Sequence, residues 1–392
     1  MIVIIGGGIS GLVAAINFES AGKECLIVEK SSMVGGRVAT DHFENIPFDH
    51  GFQVLLTDYP EAKKYLNYQE LDLQKFDSGA VIFKNGKKSQ FGDPLRNLSH
   101  LFPTIFSWVG NFSDKLKVYR LSTALKIKTV KNIFESSEKT TMQYLKDYGF
   151  SDQIISNFFQ PFFGGIFLES KLETSSRMFE FVFKMFANGY AAIPRKGMEA
   201  IPLQLKSQLR KTKFVTGMDA EVQKDGLVKL GNGRTIKADG IIIAYANQSL
   251  NRKGCSTFYF EVKNRILENQ VIGLLAESNT ITNSFHYLSD HILSVTTLGN
   301  DSDRNITDQE IRSELHKYCG IEVDKLIKRY DIPQSLPVLK NIGEGNRADL
   351  KIIGDVPVTH AGDHLYYGSL NAAMYSGEVA AQTLLDYFSS PT

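Results

Sequence analysis

Met1-Ile2-Val3-Ile4-Ile5-Gly6-Gly7-Gly8-Ile9-Ser10-Gly11-Leu12-Val13-Ala14-Ala15 opens the chain. A β-branched run passes directly into Gly6-x-Gly8-x-x-Gly11 and then into an alanine-rich segment, which predicts a strand, a tight turn and a helix. In that arrangement Gly6 makes the turn, Gly8 lets a pyrophosphate approach the backbone, and Gly11 lets the helix pack tightly on the strand. The free N–H groups at the start of the helix, around Ile9 and Ser10, then face negative charge. A second predicted strand, Glu24-Cys25-Leu26-Ile27-Val28, ends at Glu29. A carboxylate there can take both hydroxyls of an adenosine ribose and repel a 2′-phosphate. A glycine pattern alone is a weak signal. Here it follows a strand, opens a helix and has its acid at the expected offset of roughly 20 residues, so the stretch reads as a dinucleotide-binding unit.

Ser31-Ser32-Met33-Val34-Gly35-Gly36-Arg37-Val38 places two glycines and a cation soon after Glu29-Lys30. Glycines permit positive φ and close backbone approach, and Arg37 can neutralise a pyrophosphate through charge-assisted hydrogen bonds. Phe48-Asp49-His50-Gly51-Phe52-Gln53 follows.

The remaining composition narrows the classes. The chain has 392 residues, 43% apolar and 22% charged, with a formal net charge of +1. That is ample for a core and suits two or three domains. No basic block stands out, which argues against nucleic acid. Cys25, Cys255 and Cys319 are odd in number and far apart, so no disulfide framework is expected, and a reducing, cytoplasmic setting fits. The eight histidines form no metal spacing, and His360 and His364 read as loop residues, so no metal is expected. The apolar N-terminal run lacks a basic region before it and reads as a strand rather than a targeting segment. No apolar run is long enough to span a bilayer. Leu101-Phe102-Pro103-Thr104-Ile105-Phe106-Ser107-Trp108-Val109, with Lys115, Lys117 and Arg120 after it, offers a peripheral membrane contact, but a buried helix end is the favoured reading.

Glu29-Lys30, Gly35-Gly36-Arg37 and Asp49-x-Gly51-Phe52 together resemble the superfamily of FAD-dependent amine oxidases, phytoene desaturases and protoporphyrinogen oxidases. The far end agrees. His360-Ala361-Gly362-Asp363 and Gly368-Ser369-Leu370-Asn371-Ala372-Ala373-Met374 resemble its closing FAD motif. Ile193-Pro194-Arg195-Lys196-Gly197-Met198 resembles its Pro-x-x-Gly-Met segment, and Ala238-Asp239-Gly240-Ile241-Ile242-Ile243-Ala244 its Ala-Asp-x-Val-Ile-x-Ala strand. Gly51-Phe52-Gln53-Val54-Leu55-Leu56-Thr57-Asp58-Tyr59-Pro60 is most similar to a sparsely described branch named phytoene desaturase-like or amine oxidase-like.

The resemblance implies an α/β fold in which a Rossmann-type FAD-binding domain is interleaved with an α+β substrate domain of mixed sheet plus helices. The expected division is 1–57, 191–250 and 346–392 for FAD, and 58–190 and 251–345 for substrate. It also implies non-covalent FAD, because no cysteine or histidine stands where covalent members tether it. The backbone near Ala220 would bond adenine, and Asp363 would take the ribityl hydroxyls. The helix beginning at Asn371 and Ala372 would point its N-terminus, carrying roughly half a positive charge, at the flavin N1/C2=O edge. Hydride would pass from a substrate C–H to flavin N5.

Where many amine oxidases place a lysine near N5, counting back from Phe258-Tyr259-Phe260 gives Cys255 here, with Lys253 two residues away. Tyr366 and Tyr367 are the candidates for a substrate-facing pair. The phenylalanines between Phe158 and Phe186 read mainly as core, and some as lining of an apolar substrate cavity. A small apolar molecule is therefore the expected partner. No feature sets an oligomeric state. Alternatives from other classes are a renalase-like oxidase of a dihydronicotinamide and a flavin- or nucleotide-binding protein without turnover. An NAD-only Rossmann enzyme is a further rival, which would not need the Asp363–Asn371 end.

Local signals complete the expectations. Thr140-x-x-Gln143 and Thr307-x-x-Glu310 read as capping boxes, Ser151 as a cap, Gly231-Asn232-Gly233 as a hairpin turn, and Phe214 to Val222 as a strand.

Overall fold

A computed structural model describes residues 1–92, 107–247, 249–268, 270–299, 306–345 and 348–390. In chain order the first part comprises β1 (Ile2–Ile5), α1 (Ile9–Ser20), β2 (Cys25–Val28), β3 (Thr40–Phe43), β4 (Ile46–Asp49) and β5 (Leu55–Leu56). Two short helices, α2 (Pro60–Tyr65) and α3 (Tyr68–Leu71), lead to β6 (Leu73–Lys75), β7 (Gly79–Lys84) and β8 (Lys87–Gly92). A helical stretch follows: α4 (Phe112–Ile127), α5 (Val130–Phe134), α6 (Thr141–Asp147), α7 (residues 152–167, π-wound over Ile155–Phe159) and α8 (Ser176–Asn188). Then come β9 (Ala191–Pro194), α9 (Ala200–Gln208), β10 (Lys213–Val215), β11 (Ala220–Val222), β12 (Val228–Leu230), β13 (Thr235–Ile236) and β14 (Gly240–Ile243). The last part holds β15 (Arg252–Val262), β16 (Ile272–Leu275), β17 (Thr282–Tyr287), β18 (Ile292–Leu298), α10 (Asp308–Glu314), β19 (Val323–Pro337), β20 (Leu350–Ile353), β21 (Val356–His360) and α11 (Leu370–Ser389).

Two sheets carry the architecture. The first has six strands in the order β10-β2-β1-β14-β21-β20. β1 lies between β2 and β14, parallel to both, and only β20 runs antiparallel. Ile2–Ile5 and Ile241–Ile242 are buried, as expected of parallel strands covered on both faces. The second sheet has seven strands in the order β19-β15-β18-β17-β16-β7-β8. The strands of the first come from residues 2–28, 213–243 and 350–360, and those of the second from 79–92 and 252–337, so the chain alternates between the sheets.

The helix signals resolve in detail. Thr307 and Glu310 form a reciprocal capping box at α10. Thr140 caps α6 through the Gln143 N–H, but the Gln143 side chain turns to Asp147, so only half of that box exists. Ser151 caps α7. The stretch Phe214–Val222 is not one strand. Gly217, at φ +66°, ends β10 in the parallel sheet and sends β11 into a separate meander with β12 and β13.

Most of the phenylalanine run packs on itself. Phe159, Phe163, Phe167 and Phe179 are buried, and Phe163 and Phe179 have ring centroids 4.7 Å apart. These rings join α7 to α8, and each buried ring of this size contributes about 1.5–3 kcal/mol. On the opposite side of the helical layer, α4 turns Phe112 (75% exposed), Leu116, Tyr119 and Ile127 (84% exposed) outward. Residues 101–106, the first part of the apolar stretch noted above, lie outside the described residues. Among the described residues no helix is long and apolar enough to cross a membrane.

Candidate functional site

The N-terminus of α1 is buried and uncapped. Ile9, Ser10 and Gly11 are buried, Gly8 occupies the cap position with no side-chain bond, and the first turn contains no acid. A buried helix end without a side-chain cap is suited to receive an anion. The surrounding backbone leaves room for one. Gly8 pairs with Gly35 in an isolated bridge, and a Cβ on Gly36, at φ +62°, would lie 3.4 Å from the Gly8 Cα. Gly11 serves a different end: a Cβ there would stand 2.0 Å from the Gly6 carbonyl oxygen, so only glycine allows this contact of helix and turn.

Glu29, at the end of β2, is 8% exposed. One carboxylate oxygen accepts the Gly7 N–H at 2.6 Å and the other accepts the Ser31 N–H at 2.8 Å. Each oxygen retains a further lone pair for a hydroxyl donor. The loop before Ala220 returns to the same place: Met218 N–H donates to the Glu29 carbonyl and Gly217 N–H to that of Ser31. Lys30 pairs with Asp219 at 3.5 Å on the surface. Gly8, Glu29, Gly35 and the approach to Ala220 are thus gathered at one end of the parallel sheet.

The two chain extremities meet. Arg37 donates to the Asp363 carboxylate across 326 residues, and to the Ser335 carbonyl at 2.6 Å. Gly362, at φ +152°, donates its N–H to Ser376 on α11 at 2.7 Å. Behind this junction α1 and α11 cross in contact, since a Cβ on Gly377 would stand 2.2 Å from the Ser10 carbonyl oxygen. Asp363 is buried, and its partner in this structure is a guanidinium, not a hydroxyl.

Other candidates hold structural posts. Asp49 is buried, and its Oδ1 accepts Thr40 Oγ1 at 2.6 Å and Met198 N–H at 2.8 Å. Burial pushes its carboxyl up to about 6, against the pull of those two bonds. Gly51, at φ +94°, sits over Ile332 and Cys255, and Phe52 lies against His286 at 4.4 Å. The Asn371 side chain accepts the Glu61 N–H at 2.9 Å and donates to the Tyr367 hydroxyl at 2.8 Å. Ala372 N–H is taken by Ser369, the cap of α11. Tyr367 packs between Phe134 and Phe181 and its hydroxyl donates to Glu344 at 3.0 Å, which makes it a core residue. Tyr366 is also buried, edge-on to Tyr375 at 5.1 Å. Lys253 is tied to Glu169 at 2.5 Å and to Thr174 at 2.9 Å.

The family described as flavin containing amine oxidoreductase matches residues 9–270, more than half of the chain. The chain belongs to that family. Among curated family relatives, it is 30% identical over 128 residues to a probable flavin-containing monoamine oxidase A of Dictyostelium discoideum, covering 32% of this chain and 27% of that one. It is 26% identical over 146 residues to a 4,4'-diapophytoene desaturase of Staphylococcus haemolyticus, covering 37% of this chain and 25% of that one. The matched stretches therefore span about a quarter of those relatives' own length. A crystal structure of an oxidoreductase from Methanosarcina mazei has the same fold, with a TM-score of 0.72 at 14% identity over 98% of this chain and 99% of that one.

Two further residues near the junction were not predicted as part of the site. Arg252, at the start of β15, has its pKa lowered by burial and by the neighbouring Arg37. Arg252 thus adds positive charge near Arg37, and the Asp363 carboxylate offsets part of it. His364 is likewise lowered, chiefly by burial. Arg252 lies in no motif, because β15 reaches the closing loop only through the fold, and His364 read only as a loop residue.

Proposed function

We propose that the chain is an FAD-dependent oxidoreductase that removes hydride from a C–H of a small molecule and leaves a C=C or C=N bond. The observation that carries this is the buried, uncapped N-terminus of α1 with Glu29 beside it, joined to the closing motif by Arg37 and Asp363. Bound there, the flavin would supply the two-electron acceptor at N5. Glu29 would accept the ribose hydroxyls, the backbone near Ala220 would hold adenine, and the N–H groups of Ile9 and Ser10 would hold the pyrophosphate. Arg37 would turn part of its charge to the same phosphates, leaving Asp363 to accept from the ribityl chain. The backbone of α11 at Leu370 and Asn371 would stabilise negative charge on the ring edge.

The strand content of the two sheets supports the division into FAD-binding segments 1–57, 191–250 and 346–392 and substrate segments 58–190 and 251–345. Non-covalent binding is supported by the thiols: Cys25, Cys255 and Cys319 all have pKa values raised by burial, so none is a ready nucleophile. An apolar substrate body fits Phe52 and Phe76 beside the ring end. The test is purification followed by acid precipitation, which should release a yellow supernatant, and then an anaerobic screen for flavin bleaching across amines, polyenes, porphyrinogens and dihydronicotinamides. A colourless protein that takes up no FAD overturns the reading.

A further inference from the structure

The seven-stranded sheet has two unlike faces. On one, Phe258, Phe260, Phe285, Leu293 and Val295 form an apolar core with Ile311 of α10. The other face follows from the register across β15, β18 and β17, where side chains of paired residues share a face. One row is Thr257, Thr296 and Ser284; the next is Tyr259, Ser294 and His286. All six are buried, and none of the six is a carboxylate or a permanent cation.

The segment already assigned to the flavin runs over these rows. Phe48 stacks on Tyr259 at 4.3 Å, the Tyr259 hydroxyl donates to the Asp49 carbonyl at 2.8 Å, and Phe52 lies on His286 at 4.4 Å. His286 is therefore at the ring end of the motif. Its imidazole packs against both Phe52 and Phe76, which also touch each other, and is 6% exposed. Among the described residues the His286 ring nitrogens and the Ser284 and Thr296 hydroxyls make no hydrogen bond or ion pair, and on the same face the fully buried Thr257 and Ser294 hydroxyls have no partner. Burial alone pushes the imidazole down to about 3, so it is neutral at any working pH, with one N–H donor and one acceptor nitrogen. Buried polar groups of this kind are paired in folded proteins, by protein, water or ligand.

We propose that His286, with the Ser284 and Thr296 hydroxyls on its face, is the subsite that receives an uncharged hydrogen-bonding group of the substrate: a carbonyl, carboxamide or hydroxyl. The substrate is then a neutral molecule with an apolar body against Phe52 and Phe76 and a neutral polar tip against β17. A cationic amine or a carboxylate would lose its hydration there with no opposite charge in the two rows to replace it. This rests on the flavin reading above.

The test uses three probes of one size: benzamide, benzoate and benzylamine. Each is titrated into flavin-loaded protein, followed by the visible flavin spectrum and by calorimetry. Histidine ring nitrogens are followed by NMR. Benzamide should bind at least tenfold more tightly than either charged probe and shift the His286 nitrogens. His286→Phe should lose roughly tenfold in benzamide affinity, the effect of one hydrogen bond, with the charged probes unchanged. His286→Asn, which keeps a donor and an acceptor, should recover part of that loss. Should His286→Phe fail to fold, Ser284→Ala and Thr296→Val carry the same comparison, each expected to weaken benzamide alone. Equal affinity for the three probes, or substitutions that leave benzamide unaffected, overturns the inference. A chain that takes up no FAD instead overturns the flavin reading, so the two failures are distinct.

Discussion

Glu29→Gln is the substitution whose consequences the structure defines most sharply. The carboxylate has one acceptor oxygen for Gly7 N–H at 2.6 Å and one for Ser31 N–H at 2.8 Å, and it is buried. An amide keeps one acceptor and sets an NH2 group against the other N–H. One charge-assisted bond is lost and a buried N–H loses its partner, which together cost about 2–3 kcal/mol. The flavin-free protein should therefore unfold at lower urea concentration. The ribose loses an ionised acceptor as well, so FAD and ADP should each bind roughly tenfold more weakly, about 1.4 kcal/mol. Loss of the negative charge should also raise the affinity for 2′-phospho-ADP relative to ADP. Urea unfolding gives the first quantity and calorimetry with the three nucleotides gives the others. A Glu29→Gln protein as stable as the parent, with the same affinity for FAD and the same discrimination against the 2′-phosphate, would refute the assignment of Glu29 to both tasks.

Gly11→Ala places a methyl 2.0 Å from the Gly6 carbonyl oxygen, so it should remove soluble, flavin-retaining protein, checked by yield and by absorbance at the flavin band. Arg37→Ala removes the ion-pair partner of the buried Asp363 carboxylate, at a cost of about 1–3 kcal/mol because Arg37 is 42% exposed. Adding Asp363→Asn should recover more than 1 kcal/mol of that, read from a double-mutant cycle in urea. Asp49 has a raised carboxyl pKa in the folded state, so its contribution favours folding at low pH and is lost as pH climbs from about 4 through about 6. Asp49→Asn keeps the Oδ1 acceptor for Thr40 and Met198. Its stability should rise relative to the parent by about 3 kcal/mol across that window, measured as urea midpoints at pH 4 and 7. Phe112→Ser with Ile127→Ser removes exposed apolar surface from α4 and should shorten retention on a hydrophobic-interaction column while changing stability by less than about 0.5 kcal/mol.

The parts of the fold that were legible in sequence are those whose signals are local. Gly6 to Gly11, the acid at Glu29 and the apolar Ile241–Ile243 run each declare a role within a few residues. The hairpin β7–β8 had such a signal too, since Asn85-Gly86 is a two-residue turn with both φ positive, at 52° and 68°. β19 was hidden for a different reason. It is an edge strand, so it carries Pro333 and Pro337 and many charges, and nothing in it alternates like a core strand. Tyr367 and Asn371 were placed by motif, yet their hydrogen bonds run to Glu344 and to the Glu61 N–H, which no spacing in the chain foretells. The pairing of Arg37 with Asp363, and the place of His286 under Phe52, are likewise products of long-range topology.

The crossing of α1 against α11 has a consequence for biosynthesis. β1 needs β14 at its side, and α1 needs Gly377 at its back, so these elements wait for partners made long after them. At a ribosomal pace of about 5–20 residues per second, that interval is on the order of half a minute. Throughout it an apolar strand and a half-covered helix stand open to chaperones and to neighbouring nascent chains. Premature termination anywhere before α11 would yield a polypeptide unable to close its nucleotide fold, and such fragments should be cleared by proteases.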